Sequence, residues 1–409
     1  MALRILVLSD LHAFVPSDSK TRTDDVSFLR ATNAIVPGTP DPIQAAIDTI
    51  CQEGLSVDWV VCPGDLADKA NPDAQAFAWQ KLEHLRHAVG AKHLIGTAGN
   101  HDIDSRLKHT EFDPKGALQS LQPLFPGIDE LSSDRYWSRN FHVFHEDRVL
   151  LLNVNSAAFH GMASADSPNV KEYLHGRVSQ RTIDAIAKTI QDKSADLHIL
   201  LTHHHPERDQ SIYDSDYSEM QFGSKLLNDL QQLTASSWFV LHGHQHYPRL
   251  FYGRGDAYSP TIFSAGSATA QLNGEQARRS VNQFYHITFE LDGVPANVDG
   301  PAGIIRAWNW SARSRWEPAA GELGIPDFCG FGFRPAVKSI AQQIVELVAA
   351  QKEYIVFNEL YRDIPELKYI TKGHFQALVT ELDKRPIEVT RAQIYKDTIL
   401  RNKKAGTSA

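Results

Sequence analysis

The chain has 409 residues, of which 42% are hydrophobic and 22% are charged, with a formal net charge of −8 at pH 7. This length predicts two or three domains with a large buried core, and the mild negative charge argues against a protein whose whole surface binds nucleic acid. Three widely spaced cysteines, Cys51, Cys62 and Cys329, argue against both a disulfide framework and a thiolate metal site.

The first predicted element is a buried strand, Leu3 to Leu8, which is a continuous apolar run. It follows no basic, cleavable leader, and no apolar run approaches the length of about 18 residues that a membrane span needs. We therefore expect a soluble, cytoplasmic protein without a membrane partner. The polar loop from Ala13 to Pro42 is long enough for a functional lid, and a helix begins at Asp41-Pro42.

Strands and helices then alternate along the chain. VDWVVCPGD predicts the second strand, Pro72 to Ala88 a helix, and KHLIGTAGNHD the third strand. The stretch YWSRNFHVFHEDRVLLLNVNS predicts two paired strands, and Val178 to Gln191 predicts a helix with Ser179 as its N-cap. DLHILLTHHHP and SSWFVLHGHQH predict two further strands, and strand-like runs continue to residue 315.

Five of the apolar strands are followed by polar, mostly histidine-containing motifs, which are SDLH, PGDLAD, GNHD, THHHP and GHQH. This repetition predicts a layered α/β sandwich whose site is built from loops along one edge of the sheets.

The C-terminal part has a different composition. Residues 316–335 are rich in Gly and Pro and predict a linker or an extended arm, and residues 401–409 predict a disordered tail. Between them, residues 336–400 predict three helices, the third capped by Thr371, and a strand pair formed by IEVT and AQIY. This arrangement resembles a winged helix.

The charge of the C-terminal part is also different. Residues 335–409 contain 12 Lys and Arg against 9 Asp and Glu, whereas the rest of the chain contains 29 against 40. In a winged helix, six basic side chains would meet a phosphate backbone. These are Lys372, His374, Lys384, Arg385, Arg391 and Lys396. The alternative is a solvated face on a docking or dimerisation module.

The motifs supply ligands for divalent metals. Asp10 and His12 are two residues apart, and His244 and His246 repeat this spacing. In extended backbone the spacing places both side chains on one face, so that they can share a metal ion. The carboxylate of Asp65 could bridge two ions. A donor set of carboxylate and imidazole without thiolate suits Mn, Fe, Ni or Zn.

The set D-x-H, GD, GNH[D/E], H and GHxH, found here over roughly residues 3–250, resembles the signature of the calcineurin-like metallophosphoesterase superfamily. The resemblance implies a four-layer αββα sandwich over residues 1–315. It also implies that Asp65 bridges two metal ions. The other ligands would be Asp10, His12 and His246 for one ion, and Asn100, His203 and His244 for the other. The choice of His203 over His204 or His205 follows from the resemblance alone.

The resemblance also implies a mechanism. Two divalent ions, with Mn as the first choice and Fe, Zn or Ni as alternatives, would support in-line attack by a metal-bridging hydroxide. His101 is not a ligand in this family, and its place fits a cation that contacts the phosphate or protonates the leaving oxygen. Asp102 would either orient His101 through a hydrogen bond or cap a helix.

Several functions fit this pattern. The HHHP run and the segment GRVSQRTIDAI resemble the cyclic-nucleotide phosphodiesterase branch, so we expect hydrolysis of a cyclic nucleotide or another small phosphodiester. One alternative is a nuclease acting on DNA or RNA presented by the C-terminal part. Others are a phosphomonoesterase and a regulatory protein that binds nucleic acid or a partner, with secondary catalysis. The sequence does not indicate the oligomeric state.

Overall fold

The computed structural model describes residues 1–16, 25–32, 41–161, 172–208, 218–255, 258–311, 315–320, 323–350, 354–392 and 395–403. The α-helices are α1 (Pro42–Gln52), α2 (Pro72–Ala88), α3 (Gly116–Gln119), α4 (Glu130–Arg139), α5 (Gln180–Ile190), α6 (Gly223–Thr234), α7 (Gly274–Arg279), α8 (Val337–Ala350) and α9 (Lys372–Asp383). Part of the predicted loop from Ala13 to Pro42 and most of the predicted tail lie outside the described residues.

Most strands belong to two mixed sheets, which the predicted α/β sandwich requires. The first sheet has the order β12-β11-β10-β1-β2-β3, with β13 also paired to β11, and the second has the order β4-β5-β6-β7-β9-β8. The strands of the first sheet are β1 (Ala2–Val7), β2 (Trp59–Cys62), β3 (His93–Gly96), β10 (Gln283–Glu290), β11 (Gly303–Trp310), β12 (Trp316–Pro318) and β13 (Cys329–Phe331). Those of the second are β4 (Phe141–Glu146), β5 (Val149–Val154), β6 (Leu197–Leu201), β7 (Phe239–His242), β8 (Arg249–Tyr252) and β9 (Thr261–Ser264).

The two sheets pack face to face, and helices cover their outer faces. In β1, Ile5 and Val7 belong to the core between the sheets, whereas Leu6 lies in the core beneath α1 and α2. In β5, Leu151 faces the core between the sheets and Leu150 packs towards α5 and α6. Strands buried on both faces are apolar at successive positions, which explains the continuous apolar runs in the sequence.

Helix starts follow the predicted capping residues. The side chain of Asp41 accepts hydrogen bonds from the backbone N–H groups of the first turn of α1. Ser179 caps α5 and Thr371 caps α9 in the same way. These side chains satisfy N–H groups that have no partner within the helix, so the three predicted starts are confirmed.

Two local predictions are wrong, and one predicted linker contains more regular structure than expected. The segment 316–335 is not only a connecting arm, because β12 and β13 within it pair with β11. Tyr136 and Trp137 lie in α4, so the strand predicted from this stretch begins only at Phe141. The final hairpin uses residues 399–402 rather than AQIY, because Tyr395 is buried and its hydroxyl donates to the Phe328 carbonyl at 2.7 Å.

The C-terminal part forms a small antiparallel sheet of order β14-β16-β15, packed with α8, α9 and short 3-10 helices. Its strands are β14 (Tyr354–Val356), β15 (Ile387–Thr390) and β16 (Ile399–Asn402). Its side chains Ile344, Leu378 and Leu400 belong to the same buried cluster as Phe289 and Phe331 of the first sheet. This part therefore shares a core with the sandwich, and the winged-helix interpretation stays a prediction.

The basic side chains predicted to meet nucleic acid contact other groups of this chain. Three of them form ion pairs: Lys384 and Arg385 with Glu381, and Arg391 with Asp383. Lys372 donates a hydrogen bond to the Gly324 carbonyl at 3.0 Å. Lys396 lies over the Phe328 ring, and His374 packs on Tyr252. These contacts do not support the predicted nucleic-acid surface. Among the described residues, no helix has the length and apolarity needed to cross a membrane.

Candidate metal centre

The five motifs meet at one edge of the two sheets. Asp10, Asp65 and Asn100 follow the carboxyl ends of β1, β2 and β3, and these strands are parallel neighbours. His203 and His244 follow the ends of the parallel strands β6 and β7 in the second sheet. Because parallel strands end at the same sheet edge, residues far apart in sequence converge here, as predicted.

The backbone of these motifs is not extended. Five side chains of the predicted site stand on residues with positive φ, namely Asp10 (52°), His12 (46°), Asp65 (56°), His244 (71°) and His246 (53°). The extended geometry predicted for Asp10 and His12 is therefore wrong. A non-glycine residue in this region costs on the order of 1–3 kcal/mol and persists only where its surroundings hold it. The backbone N–H of Asp10 donates to the Gly64 carbonyl, and that of His12 to the Asp65 carbonyl, both at 3.0 Å.

One group of side chains converges around His12. Its Nε2 lies 2.9 Å from Nε2 of His246 and 3.5 Å from Oδ2 of Asp65. Nε2 of His246 lies 3.3 Å from Oδ1 of Asp10. One ligand atom from each of these four residues lies within 4.8 Å of the other three. The arrangement fits the predicted first metal position.

A second group shares Asp65 with the first. Oδ1 of Asn100 lies 3.0 Å from Nε2 of His203 and 2.9 Å from Nδ1 of His244. Oδ2 of Asp65 lies 3.4 Å from Nε2 of His203. The same carboxylate oxygen thus faces both groups, so that Asp65 could be shared by two bound ions.

The THHHP run places three buried histidines near this second group. Nε2 of His203 faces Asp65. Its Nδ1 lies 2.8 Å from the Pro63 carbonyl oxygen, to which it can donate a hydrogen bond. Nδ1 of His204 contacts the Ser156 hydroxyl at 2.8 Å, and its ring centre lies 4.5 Å from that of His244. His203 and His204 both belong with His244 to a group whose possible ligand atoms lie within 4.8 Å of one another, and of the two His203 also faces Asp65. The choice of His203 as the ligand stays a prediction.

The electrostatics of the centre favour a cation. Asp10 and Asp65 are buried, and their ion-pair contacts within the described ranges are with histidines. Burial opposes ionisation of Asp65, but His203 and His101 outweigh it and hold its pKa well below the usual value. Burial also opposes protonation of His203, yet Asp65 raises its pKa to about 9. Burial lowers the pKa of His12 to about 3, which leaves a neutral imidazole able to bind a metal. Protonated His203 supplies part of the positive charge that the two buried carboxylates need, and divalent metal ions bound in place of that proton would supply the rest, so the donor set fits such ions.

Two positions in the motifs must be glycine because their Cα atoms lie too close to these carboxylates to leave room for a side chain. A Cβ on Gly99 would lie 2.1 Å from Oδ1 of Asp65, and one on Gly243 would lie 2.4 Å from Oδ2 of Asp10. Both distances are shorter than van der Waals contact. The glycines of GNHD and GHQH therefore leave space for the side chains of SDLH and PGDLAD.

His101 lies at the mouth of the centre, with its ring centre 4.7 Å from that of His12. Its Nδ1 lies 3.3 Å from Oδ1 of Asp68 and 3.4 Å from the backbone nitrogen of Lys69. The predicted hydrogen bond from His101 to the Asp102 carboxylate is not formed, because that carboxylate accepts three backbone N–H groups instead. Asp68 was missed in the sequence, although its place three residues after Asp65 in PGDLAD keeps it on the same loop.

Asp102 supports the loops that carry the ligands. Its carboxylate accepts the backbone N–H groups of Asp65, Leu66 and Gly99 at 2.8, 2.7 and 2.9 Å. We expect Asp102→Ala to lower the free energy of unfolding by at least about 3 kcal/mol, because three buried N–H groups lose their acceptor. Chemical denaturation measures this, with the exposed Asp192→Ala as control, which should stay within about 0.5 kcal/mol of the wild type. Equal losses in both variants would contradict the supporting role.

Metal binding should stabilise the fold, because the ions would neutralise buried carboxylates that the unfolded chain exposes. Adding Mn²⁺ at about 100 times its Kd to chelator-treated protein should raise the free energy of unfolding by about 2.7 kcal/mol. Calorimetry with and without the metal measures the change. An Asp10→Asn variant should show a smaller response, and an unchanged melting temperature of the wild type would contradict a metal centre.

Comparison with known proteins identifies a family over the range that contains these motifs. A model of the family described as calcineurin-like phosphoesterase matches residues 3–248. No curated protein matches the chain.

Several solved structures are similar to the chain. A purple acid phosphatase from yellow lupin (Lupinus luteus) seeds is 12% identical, with a TM-score of 0.45 over 78% of this chain and 53% of that one. The NAD nucleotidase of Haemophilus influenzae is 12% identical, with a TM-score of 0.36 over 95% and 61%. A calcineurin-like phosphoesterase from Bacillus subtilis is 14% identical, with a TM-score of 0.36 over 78% and 88%. The chain thus spans between half and two thirds of the length of the first two.

The family match covers more than half of the chain and includes all five motifs. Within that range, buried histidine and aspartate clusters consistent with a dinuclear metal site lie at the edge of two mixed sheets. The chain therefore belongs to the calcineurin-like phosphoesterase family.

Proposed function

We propose that this protein is a metal-dependent phosphodiesterase that hydrolyses a cyclic nucleotide or another small phosphodiester. The observation that carries the proposal is the shared position of Asp65, whose Oδ2 faces His12 at 3.5 Å and His203 at 3.4 Å. A carboxylate placed between two sets of donors could be shared by two ions, and two neighbouring ions are what this type of phosphate-ester hydrolysis uses.

The proposed ligands form two sets that share Asp65. Asp10, His12 and His246 would hold one ion, and Asn100, His203 and His244 the other. When bound, two divalent ions activate water as a nucleophile and withdraw charge from the phosphoryl oxygens. Imidazole, carboxylate and amide donors without thiolate suit Mn, Fe, Zn or Ni, with Mn as our first choice.

His101 would act on the leaving group. Its Nδ1 faces Asp68, which leaves Nε2 as the ring atom available to donate a proton to the departing oxygen. Asp68 would hold the ring in this orientation, as carboxylates do for other imidazoles that transfer protons. Attack and departure in line need no covalent bond to the protein.

A diester is favoured over a monoester by the charge of the pocket above the centre. Among the described residues that line it are Gln271 and Gln276, but no Lys or Arg. A diester carries one negative charge at neutral pH, and a monoester carries close to two. Apart from the two ions that would be bound, the described lining directly above the centre offers no Lys or Arg side chain for the second negative charge of a monoester, which favours the less charged substrate.

The test compares diester and monoester turnover with Mn²⁺. We expect a higher kcat/KM for bis(p-nitrophenyl) phosphate and 3′,5′-cyclic AMP than for p-nitrophenyl phosphate, with no turnover in the Asp65→Asn variant. Preference for the monoester would contradict the proposal and favour a phosphomonoesterase. Nuclease action stays an alternative prediction. It has less support because the basic side chains of the C-terminal part contact other groups of this chain.

A further inference from the structure

A second pocket adjoins the candidate metal centre. It shares Asn100 and His101 with the pocket above the centre, so the two are continuous at these residues. Beyond them, Arg106, Lys108 and Tyr173 line the second pocket. A group bound there would lie next to the position at which the phosphoester reacts.

The two cations of this pocket are available for an anion. Within the part of the chain that the structure describes, neither Arg106 nor Lys108 forms an ion pair, and both are exposed. The guanidinium of Arg106 lies 5.8 Å from the centre of the Tyr173 ring. This differs from Lys69, which also lines the pocket but pairs with Asp68 at 2.9 Å.

The side chain of Asp104 forms hydrogen bonds with the backbone of the loop that carries these cations. This buried carboxylate accepts the backbone N–H groups of Lys108 at 2.9 Å, His109 at 2.6 Å and Thr110 at 3.2 Å. Its oxygens are thus used by the backbone, so that it holds the loop without pairing with either cation. The backbone at Lys108 is thus held in place, and the pocket, which Asp104 also lines, has two cations without an ion-pair partner among the described residues of a chain whose net charge is −8.

We propose that Arg106 and Lys108 form a subsite for a second phosphate group of the substrate, located beside the ester that is hydrolysed. The inference rests on the proposed phosphoesterase function and narrows its substrate to compounds with an additional terminal phosphate. A planar guanidinium and an ammonium match the oxygens and the charge of a terminal phosphate, which approaches −2 at neutral pH. The pocket above the centre lacks such cations among its described lining residues.

The second phosphate could belong to a small nucleotide or to the end of an oligonucleotide, and matched substrates separate the two sources. One pair is adenosine 2′,3′-cyclic phosphate and its 5′-phosphorylated form, both of which contain a cyclic phosphodiester. The other is the dinucleotide ApA and its 5′-phosphorylated form pApA. Within each pair the two compounds differ by one phosphate, so the ratio of their kcat/KM values reports on the subsite alone.

We expect the wild type to prefer the phosphorylated member of at least one pair by about 10- to 100-fold, as charge-assisted contacts allow. The double variant Arg106→Gln/Lys108→Gln should lose this preference and keep its turnover of the unphosphorylated member. The matched control is Arg181→Gln/Lys188→Gln, which removes the same charge from the exposed face of α5 and should keep the preference.

Binding to the metal-free protein gives a readout that does not depend on turnover. Calorimetry should show tighter binding of the 5′-phosphorylated cyclic nucleotide than of adenosine 2′,3′-cyclic phosphate, and this difference should disappear in the double variant. Turnover with equal kcat/KM ratios in the wild type and the double variant would overturn the subsite. Binding that follows this pattern without turnover of any compound would leave the subsite in place and overturn the proposed function.

Discussion

Replacing Asp65 by asparagine is expected to abolish phosphoester hydrolysis while leaving the fold intact. The Oδ2 atom of Asp65 faces His12 in one ligand group and His203 in the other. Its Oδ1 accepts the backbone N–H of His101 at 2.8 Å, a bond that the asparagine oxygen can keep. The substitution therefore preserves the local hydrogen bond and removes the one negative charge shared by both metal positions.

The expected loss of turnover is more than about 100-fold, which exceeds the usual effect of changing a residue that only supports a ligand. Metal analysis should show fewer than two ions per chain, and circular dichroism should match the wild type. The control Asp192→Asn removes the same charge from an exposed position and should keep both turnover and metal content. Two bound ions with wild-type turnover in Asp65→Asn would exclude Asp65 as the bridging residue.

The positions of the motifs could be predicted from the sequence because each motif directly follows a buried strand along the chain. Strands such as β1 and β5 are buried on both faces, and this burial produces apolar runs that end abruptly at polar residues. Parallel strands that are neighbours in a sheet have their carboxyl ends at the same edge. The motifs that follow such strands therefore lie at that edge. The convergence of Asp10, Asn100 and His203 follows from this topology.

Other features depended on contacts that sequence spacing does not encode. The left-handed backbone at Asp10 and His12 is held by carbonyls of the loop that follows β2, and this pairing exists only in the assembled sheet. The strands β12 and β13 are three residues each, too short for a periodic pattern, and the edge of β11 determines them. Asp68 becomes the partner of His101 because a turn brings two motifs together.

Replacing His101 by glutamine should lower turnover according to the leaving group. An alkoxide, as in 3′,5′-cyclic AMP, needs a proton when it departs, whereas p-nitrophenolate leaves without one. We expect His101→Gln to reduce kcat for the cyclic nucleotide by about 10²–10⁴-fold. The effect on bis(p-nitrophenyl) phosphate should be much smaller, and metal content should be unchanged because His101 belongs to neither proposed ligand set.

Asp68→Asn tests whether the carboxylate acts through His101. Oδ1 of Asp68 lies 3.3 Å from Nδ1 of the ring, so its loss should disturb the orientation of the ring without removing the proton donor. We expect the same dependence on the leaving group as in His101→Gln, but a smaller loss, and little further loss in the double variant, because the two residues form one unit. A loss equal for both substrates would instead indicate that His101 contacts the phosphoryl group, since that contact serves every ester alike. Independent, additive losses would show that Asp68 affects the reaction by another route, such as the pairing of Lys69 beside the second pocket.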